Sequence, residues 1–355
     1  MNTLILHRSG SPLYRNITGL APFAVIAICV ASAMACSGNA AATNKPNAAT
    51  SVAQAAESLH ADYRQQQWKR LAQKKDRDSM IAAVLLGMPN DKDHEPVDGE
   101  VNLERRLAKS FGQDPLALFT LALVCQMQSE PCAHPEYYDS LVRIAPDNAV
   151  HWLMLPNAAA PSDAQLHSAA AAPQADSHLR ITIGLLRSAL AGQPSAARPG
   201  VDPHELALLL RRNAIDLVPL PKFGAVVSMC KAPSAARRGD CIGLGRRLFA
   251  DRSGTILTRM VGSAMLRRLV KGTAEEVAAK ELRRDYVWLS EQQEASNVPY
   301  QEQLQREIVG VGEWEAWQRS VERLGVLRTP PAAWMPKDPQ LLLLSEERTP
   351  AAPAK

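Results

Sequence analysis

Residues 137–160 read YYDSLVRIAPDNAVHWLMLPNAAA, and the order of apolar side chains within them decides the fold. Leu141, Val142, Ile144 and Ala145 make an apolar helical face that stops at Pro146, whose ring disfavours helical geometry at the residue before it. Asp147 or Asn148 can then cap a second helix. Ala149, Trp152, Leu153 and Pro156 follow at offsets of 3, 4 and 7 from Ala149, the spacing of one helical stripe, with Pro156 closing it. The stretch predicts a helix, a tight Pro-Asp-Asn turn and a second helix.

Composition extends that reading to the whole chain. Of 355 residues 46% are apolar, enough for one or two domains with a sizeable core, yet only 5% are aromatic. Alanine and leucine fill the apolar share, which favours packed helices over sheets built from β-branched and aromatic side chains. The expected class is all-α, as stacked helical hairpins or an α-bundle. The formal net charge is +4, of which Arg8 and Arg15 in the acid-free residues 1–35 supply two. So small a balance gives no electrostatic case for a nucleic-acid partner.

Residues 1–35 carry the marks of a secretory signal peptide. Arg8 and Arg15 precede an apolar run over 17–35 that ends in Ala33-Met34-Ala35, and Cys36 follows. With Ala35 as the small residue before the cysteine, the junction resembles the lipobox of bacterial lipoproteins. That resemblance implies a lipid on Cys36, a membrane tether and, with Ser37 next, the outer membrane. Two other readings stay open: ordinary cleavage that leaves Cys36 as a thiol, or an uncleaved apolar anchor. All three place the bulk of the chain outside the cytoplasm. Residues 36–52 are small and polar and read as a flexible tether.

A helical domain is expected over 53–327, with a loop at 193–200 as a candidate internal boundary, followed by a Pro-rich tail over 328–355. Helices are predicted near 53–75, 79–88, 103–111, 177–191, 203–215 and 222–230, with an acidic loop over 90–100. Asp114-Pro115 is a cap followed by proline at the first helical position. Further starts at Asp147, Asp176 and Asp202 give drifting spacings of 33, 29 and 26 residues. On Ala145-Pro146-Asp147-Asn148-Ala149 and Trp152 the chain resembles tetratricopeptide-like helical-hairpin repeats over about residues 101–215, which implies a groove for a protein or peptide. Towards the C-terminus, Ile256, Met260, Val261, Met265, Leu266 and Leu269 form one face, with Arg259, Arg267 and Arg268 expected outward. Thr273 and Glu276 form a capping box for the next helix. Tyr300, Leu304, Ile308, Val311, Trp314, Trp317, Val321 and Leu324 predict one long helix that Gly310 and Gly312 can bend.

Cysteine spacing bears on chemistry. Beyond Cys36 lie Cys125, Cys132, Cys230 and Cys241, an even count in two local pairs that suggests disulfides in an oxidising compartment. The second member of each pair is expected near a turn. Cys125, Cys132 and His134 as a metal set lack the tight paired spacing of zinc sites, so no metal or cofactor is expected. Ser228-Met229-Cys230-Lys231 matches a Ser-x-x-Lys element, but Lys271-Gly272-Thr273 inverts its companion motif. Glu313 and Glu315 beside Trp314 and Trp317 suggest a sugar site less than a core stripe with its solvated flank. His151, His167, His178 and His204 sit at no ligand spacing. Arginine doublets at 211–212, 237–238, 246–247, 267–268 and 283–284 read as solvated faces, or, on one concave surface, as a receiver of an acidic partner or anionic lipid. The chain is thus expected to be a non-catalytic interaction module of the cell envelope, with a protein or peptide partner and a membrane tether at Cys36. An envelope enzyme acting on cell-wall material and a structural spacer are the alternatives.

Overall fold

The computed structural model describes residues 48–88, 98–128, 131–192, 202–216, 218–252, 255–295 and 302–348. The signal peptide, Cys36 and the loop at 193–200 lie outside the described residues. Within them the chain is all-helical, without a strand. In order come α1 (Ala48–Ala72), α2 (Arg77–Gly87), α3 (Asp98–Phe111), α4 (Pro115–Met127), α5 (Glu136–Ile144), α6 (Ala149–Trp152), α7 (Asp163–Ala171) and α8 (Leu179–Leu190). After these come α9 (Pro203–Asp216), α10 (Gly224–Met229), α11 (Ala235–Ala250), α12 (Ile256–Leu269), α13 (Ala274–Ala295), α14 (Glu302–Val311) and α15 (Glu313–Glu322).

Local chemistry sets many of the starts. The Asp76 and Asp114 carboxylates accept from Ser79 N and Ala117 N at 2.9 Å, and Pro115 occupies the first turn that needs no donor. α4 is buried on every side from Leu116 to Gln126, so it forms the axis of the N-terminal half. Buried Gln126 accepts from Lys222 N at 2.7 Å and donates to Leu153 O at 3.0 Å, which fixes two loops on that axis. Neighbours in sequence pack as hairpins from α1 to α5 and again from α11 to α13. Across the chain α2 meets α8, α1 meets α9, α7 meets α11 and α8 meets α14. One buried apolar cluster consequently runs from Leu71 to Val321, through side chains on both sides of 193–200.

Several expectations change. The helix after Asp147 is a single turn, which Asn148 caps at its start and which ends at Trp152. The Asn148 side chain instead reaches across, accepting from Asp176 N at 2.9 Å and donating to Asp176 O at 2.8 Å. A capping box of Ser162 and Gln165 starts α7, which apolar periodicity did not flag. Residues 48–52 of the expected tether and 98–100 of the expected loop are helical. The long helix over 300–324 is instead two, broken at Gly312, whose φ of +88° suits only glycine. The capping box at Thr273 is half formed: Thr273 accepts from Glu276 N, while Glu276 takes the Gly272 N–H in place of the Thr273 N–H.

Candidate peptide-holding face

The C-terminal half builds an unexpected surface from its arginines. α12 is packed by α11 on one side and α13 on the other, so its circumference is almost fully buried. Arg267 and Arg268 in its last turn, and Arg283 and Arg284 in the middle of α13, were expected to face water. Arg267 and Arg283 are each only 6% exposed, because the segment following α15 runs back across them. That segment has no long helix, only two 3-10 turns at Pro339–Leu342 and Ser345–Glu347.

The face holds this extended chain chiefly through its backbone. Arg283 Nε donates to Leu341 O at 2.6 Å, and Arg284 donates to the carbonyls of Pro331, Ala332 and Trp334. The Trp288 indole donates to Leu327 O at 2.8 Å, and Glu291 accepts from Lys337 N at 2.8 Å. Aromatic contacts line the middle, with Trp334 edge-on to Trp288 at 5.3 Å and Arg284 over Trp334 at 5.6 Å. At the far end Arg268 forms a two-pronged pair with Glu346, at 2.5 and 2.9 Å, and Arg267 Nη2 lies 3.4 Å from Glu347. The Arg268 contact pulls the Glu346 carboxyl down to about 2. Burial pushes Arg283 down to about 10 and lowers Arg267, since a covered guanidinium loses its water.

The other doublets also hold parts of the fold in place. Arg237 pairs with Asp163 and Arg246 with Glu275, Arg238 donates to Leu269 O, and Arg247 donates to Pro173 O at 2.6 Å. Arg211 lies 3.9 Å from Glu302. The doublets lie on several different faces, so they do not line one concave surface as a set. Arg238 and Arg246 remain exposed, as a solvated face requires, whereas Arg267 and Arg283 are buried and correct that reading.

The cysteine pairs lie where local connectivity puts them, with sulfurs 1.92 Å apart at Cys125–Cys132 and 1.95 Å apart at Cys230–Cys241. Cys132 sits in the loop before α5, as expected. Cys241 lies inside α11 and is fully buried, a correction to its expected place near a turn, since α11 begins at Ala235 despite Gly239. His134, the third residue of the metal alternative, contacts Glu136 at 3.0 Å, and no group of three or more metal-ligating side chains forms among the described residues. Ser228 lies in α10, and Lys231 follows its end in a turn. Glu313 and Glu315 diverge. Glu313, buried, accepts from Ile256 N at 2.7 Å and caps α12, whereas Glu315 pairs with Arg319 and Arg328. Trp317 joins the core, and Trp314 lies under Arg259 at 4.9 Å.

Sequence spacing missed one constellation. His151 and His178, 27 residues apart, meet with Nε2 atoms 2.8 Å apart beside Phe119. His151 Nδ1–H donates to Ala145 O at 2.9 Å, so its Nε2 carries the lone pair and accepts from His178 and from Asn148 Nδ2. Burial, with the neighbouring imidazole second, pushes His151 down to about 4. Burial also lowers His178, against the raising fields of Asp176 and Asp114. The available signal was the shared setting, since each histidine follows an Asx residue by two or three positions, Asn148 capping α6 and Asp176 accepting from His178 N. No family model, curated protein or solved structure matches the chain.

Proposed function

We propose that the chain is a non-catalytic interaction module of the cell envelope, tethered through Cys36, that holds an extended protein or peptide segment along α12 and α13. One observation carries the reading: this face already holds a polypeptide by its main chain. Contacts from Arg283, Arg284, Trp288 and Glu291 to carbonyls and amides tolerate many side chains, as peptide receivers require. An envelope location accords with two cysteine pairs at disulfide distance. No helix of the described residues is long and apolar enough to cross a membrane. The tether in this reading is the lipid at Cys36.

Val277 offers a reporter. It is 55% exposed and precedes Arg284 by two helical turns on the same side of α13. A photo-cross-linking residue at Val277, in cells making the full chain, should give an adduct with one other envelope polypeptide. The same residue at Ile181, 49% exposed on α8, should not. Absence of an adduct at Val277, or equal adducts at both positions, would overturn the reading.

A further inference from the structure

Resting on that reading, we propose that residues 327–348 are the resident competitor of the face. The face accepts in trans an extended peptide in which a leucine-rich run precedes two carboxylates. The tail itself supplies the recognition rule. Leu341 to Leu343 lie half-buried against the body, Leu344 is buried, and Glu346 and Glu347 meet Arg268 and Arg267 directly after.

Three features make this occupant replaceable. Over residues 327–348 only Pro330, Pro336 and Leu344 are buried, with Trp334, Leu341 and Leu342 half-buried against the core, so the segment is held at a few points and not along its length. Its contacts are made by long side chains to an irregular backbone, so release breaks no helix longer than a 3-10 turn. Beneath it, the nearly covered guanidinium groups of Arg267 and Arg283 have given up hydration that release restores. The match is also incomplete. Arg267 Nε and Arg268 Nη1 are buried donors without a partner, which a ligand bringing more carboxylate or carbonyl oxygens can satisfy. Because the tail is covalently attached, it is present at high effective concentration and masks the face until something displaces it.

The test uses the purified full chain and a fluorescein-labelled peptide, QLLLLSEER, corresponding to residues 340–348. Fluorescence anisotropy should show the peptide binding E346K/E347K, whose own tail is repelled, about tenfold or more tightly than it binds the unaltered chain. The control peptide QLLLLSQQR should bind neither, and adding Arg268→Glu should abolish binding. If the charge-reversed chain does not fold by circular dichroism, Glu346→Gln carries the same comparison. Equal binding to the unaltered and tail-weakened chains overturns the competitor and leaves the peptide-holding reading standing. No peptide binding to a folded, tail-weakened chain overturns both. Binding of that chain to phosphatidylglycerol vesicles in place of the peptide would assign the face to lipid and likewise overturn the proposal.

Discussion

His151 donates to Ala145 O through Nδ1 and accepts at Nε2, and it is only 2% exposed. A proton added at Nε2 would set an N–H against the N–H groups of His178 and Asn148. The groups facing the pair are Asp147 and Asp176 on its own segments, Asp114 at the start of α4, and Phe119. Their fields do not outweigh burial. The sign follows: a histidine at about 4 folded and near 6.5 unfolded binds fewer protons when folded. Its contribution to stability is complete above pH 6.5 and is lost as pH falls towards 4. About 3 kcal/mol is at stake by pH 4, from the shift at His151 alone. Urea unfolding between pH 7 and pH 4 should show that loss in the unaltered chain and a flatter profile in His151→Gln. Equal slopes would remove the pair as the source. His60, also lowered to about 4 by burial, is common to both chains and cancels in the comparison.

Helices were legible where a cap and a stripe coincide, as at Asp114-Pro115 with the apolar run after it. They were hidden where helix formation depends on tertiary contacts. Gly239 suggests a turn, yet α11 runs through it, and further along the same helix Gly243 lies against Ala170 of α7 and Gly245 against Met265 and Leu266 of α12. The arginine stripe of α12 looked solvated because the tail that covers it lies far along the chain. The stripe stays on the buried side across Gly312, from Leu304 and Ile308 to Trp317 and Val321, since two helices in contact can share one face, whereas Leu324 is exposed. Glycine positions on α11 and α12 test this packing. A Cβ at Gly262 would lie 2.3 Å from Phe249 N and 2.7 Å from Gly245 O, backbone atoms that cannot swing aside. Gly262→Ala should therefore force the two helices apart and cost about 3 kcal/mol. At Gly239 a Cβ meets nothing within 4 Å, so Gly239→Ala should stabilise α11 by about 0.5–1 kcal/mol. Urea midpoints of the two variants should move in opposite directions. A Gly262→Ala midpoint within error of the unaltered chain would mean that α11 and α12 sit further apart than described.

At the scale of the molecule, the compartment and the fold meet at the cysteines. Each pair ties a segment to its sequence neighbour, Cys125 in α4 to the loop before α5 and Cys230 at the end of α10 to the middle of α11. Closing loops with sequence separations of 7 and 11 residues stabilises by about 2.5 kcal/mol apiece if the unfolded chain is otherwise unrestrained. Access differs between them. Cys132 is half-buried in a loop whose neighbours Pro131 and Ala133 are exposed, whereas Cys230 and Cys241 are both buried. Thiolate attack needs approach to a sulfur, so mild reductant under native conditions should open Cys125–Cys132 first, and Cys230–Cys241 should yield only with unfolding. Alkylation and mass mapping of chain isolated from its native cells should find no free thiol at these four positions before reduction. They should then find two labels, on Cys125 and Cys132, at low reductant, with a lower urea midpoint. Free thiols at all four positions before any reductant would count against an oxidising compartment and, with it, against the envelope role. Labels appearing first on Cys230 and Cys241 would instead mean that α10 and α11 separate more readily than the core around Cys241 requires.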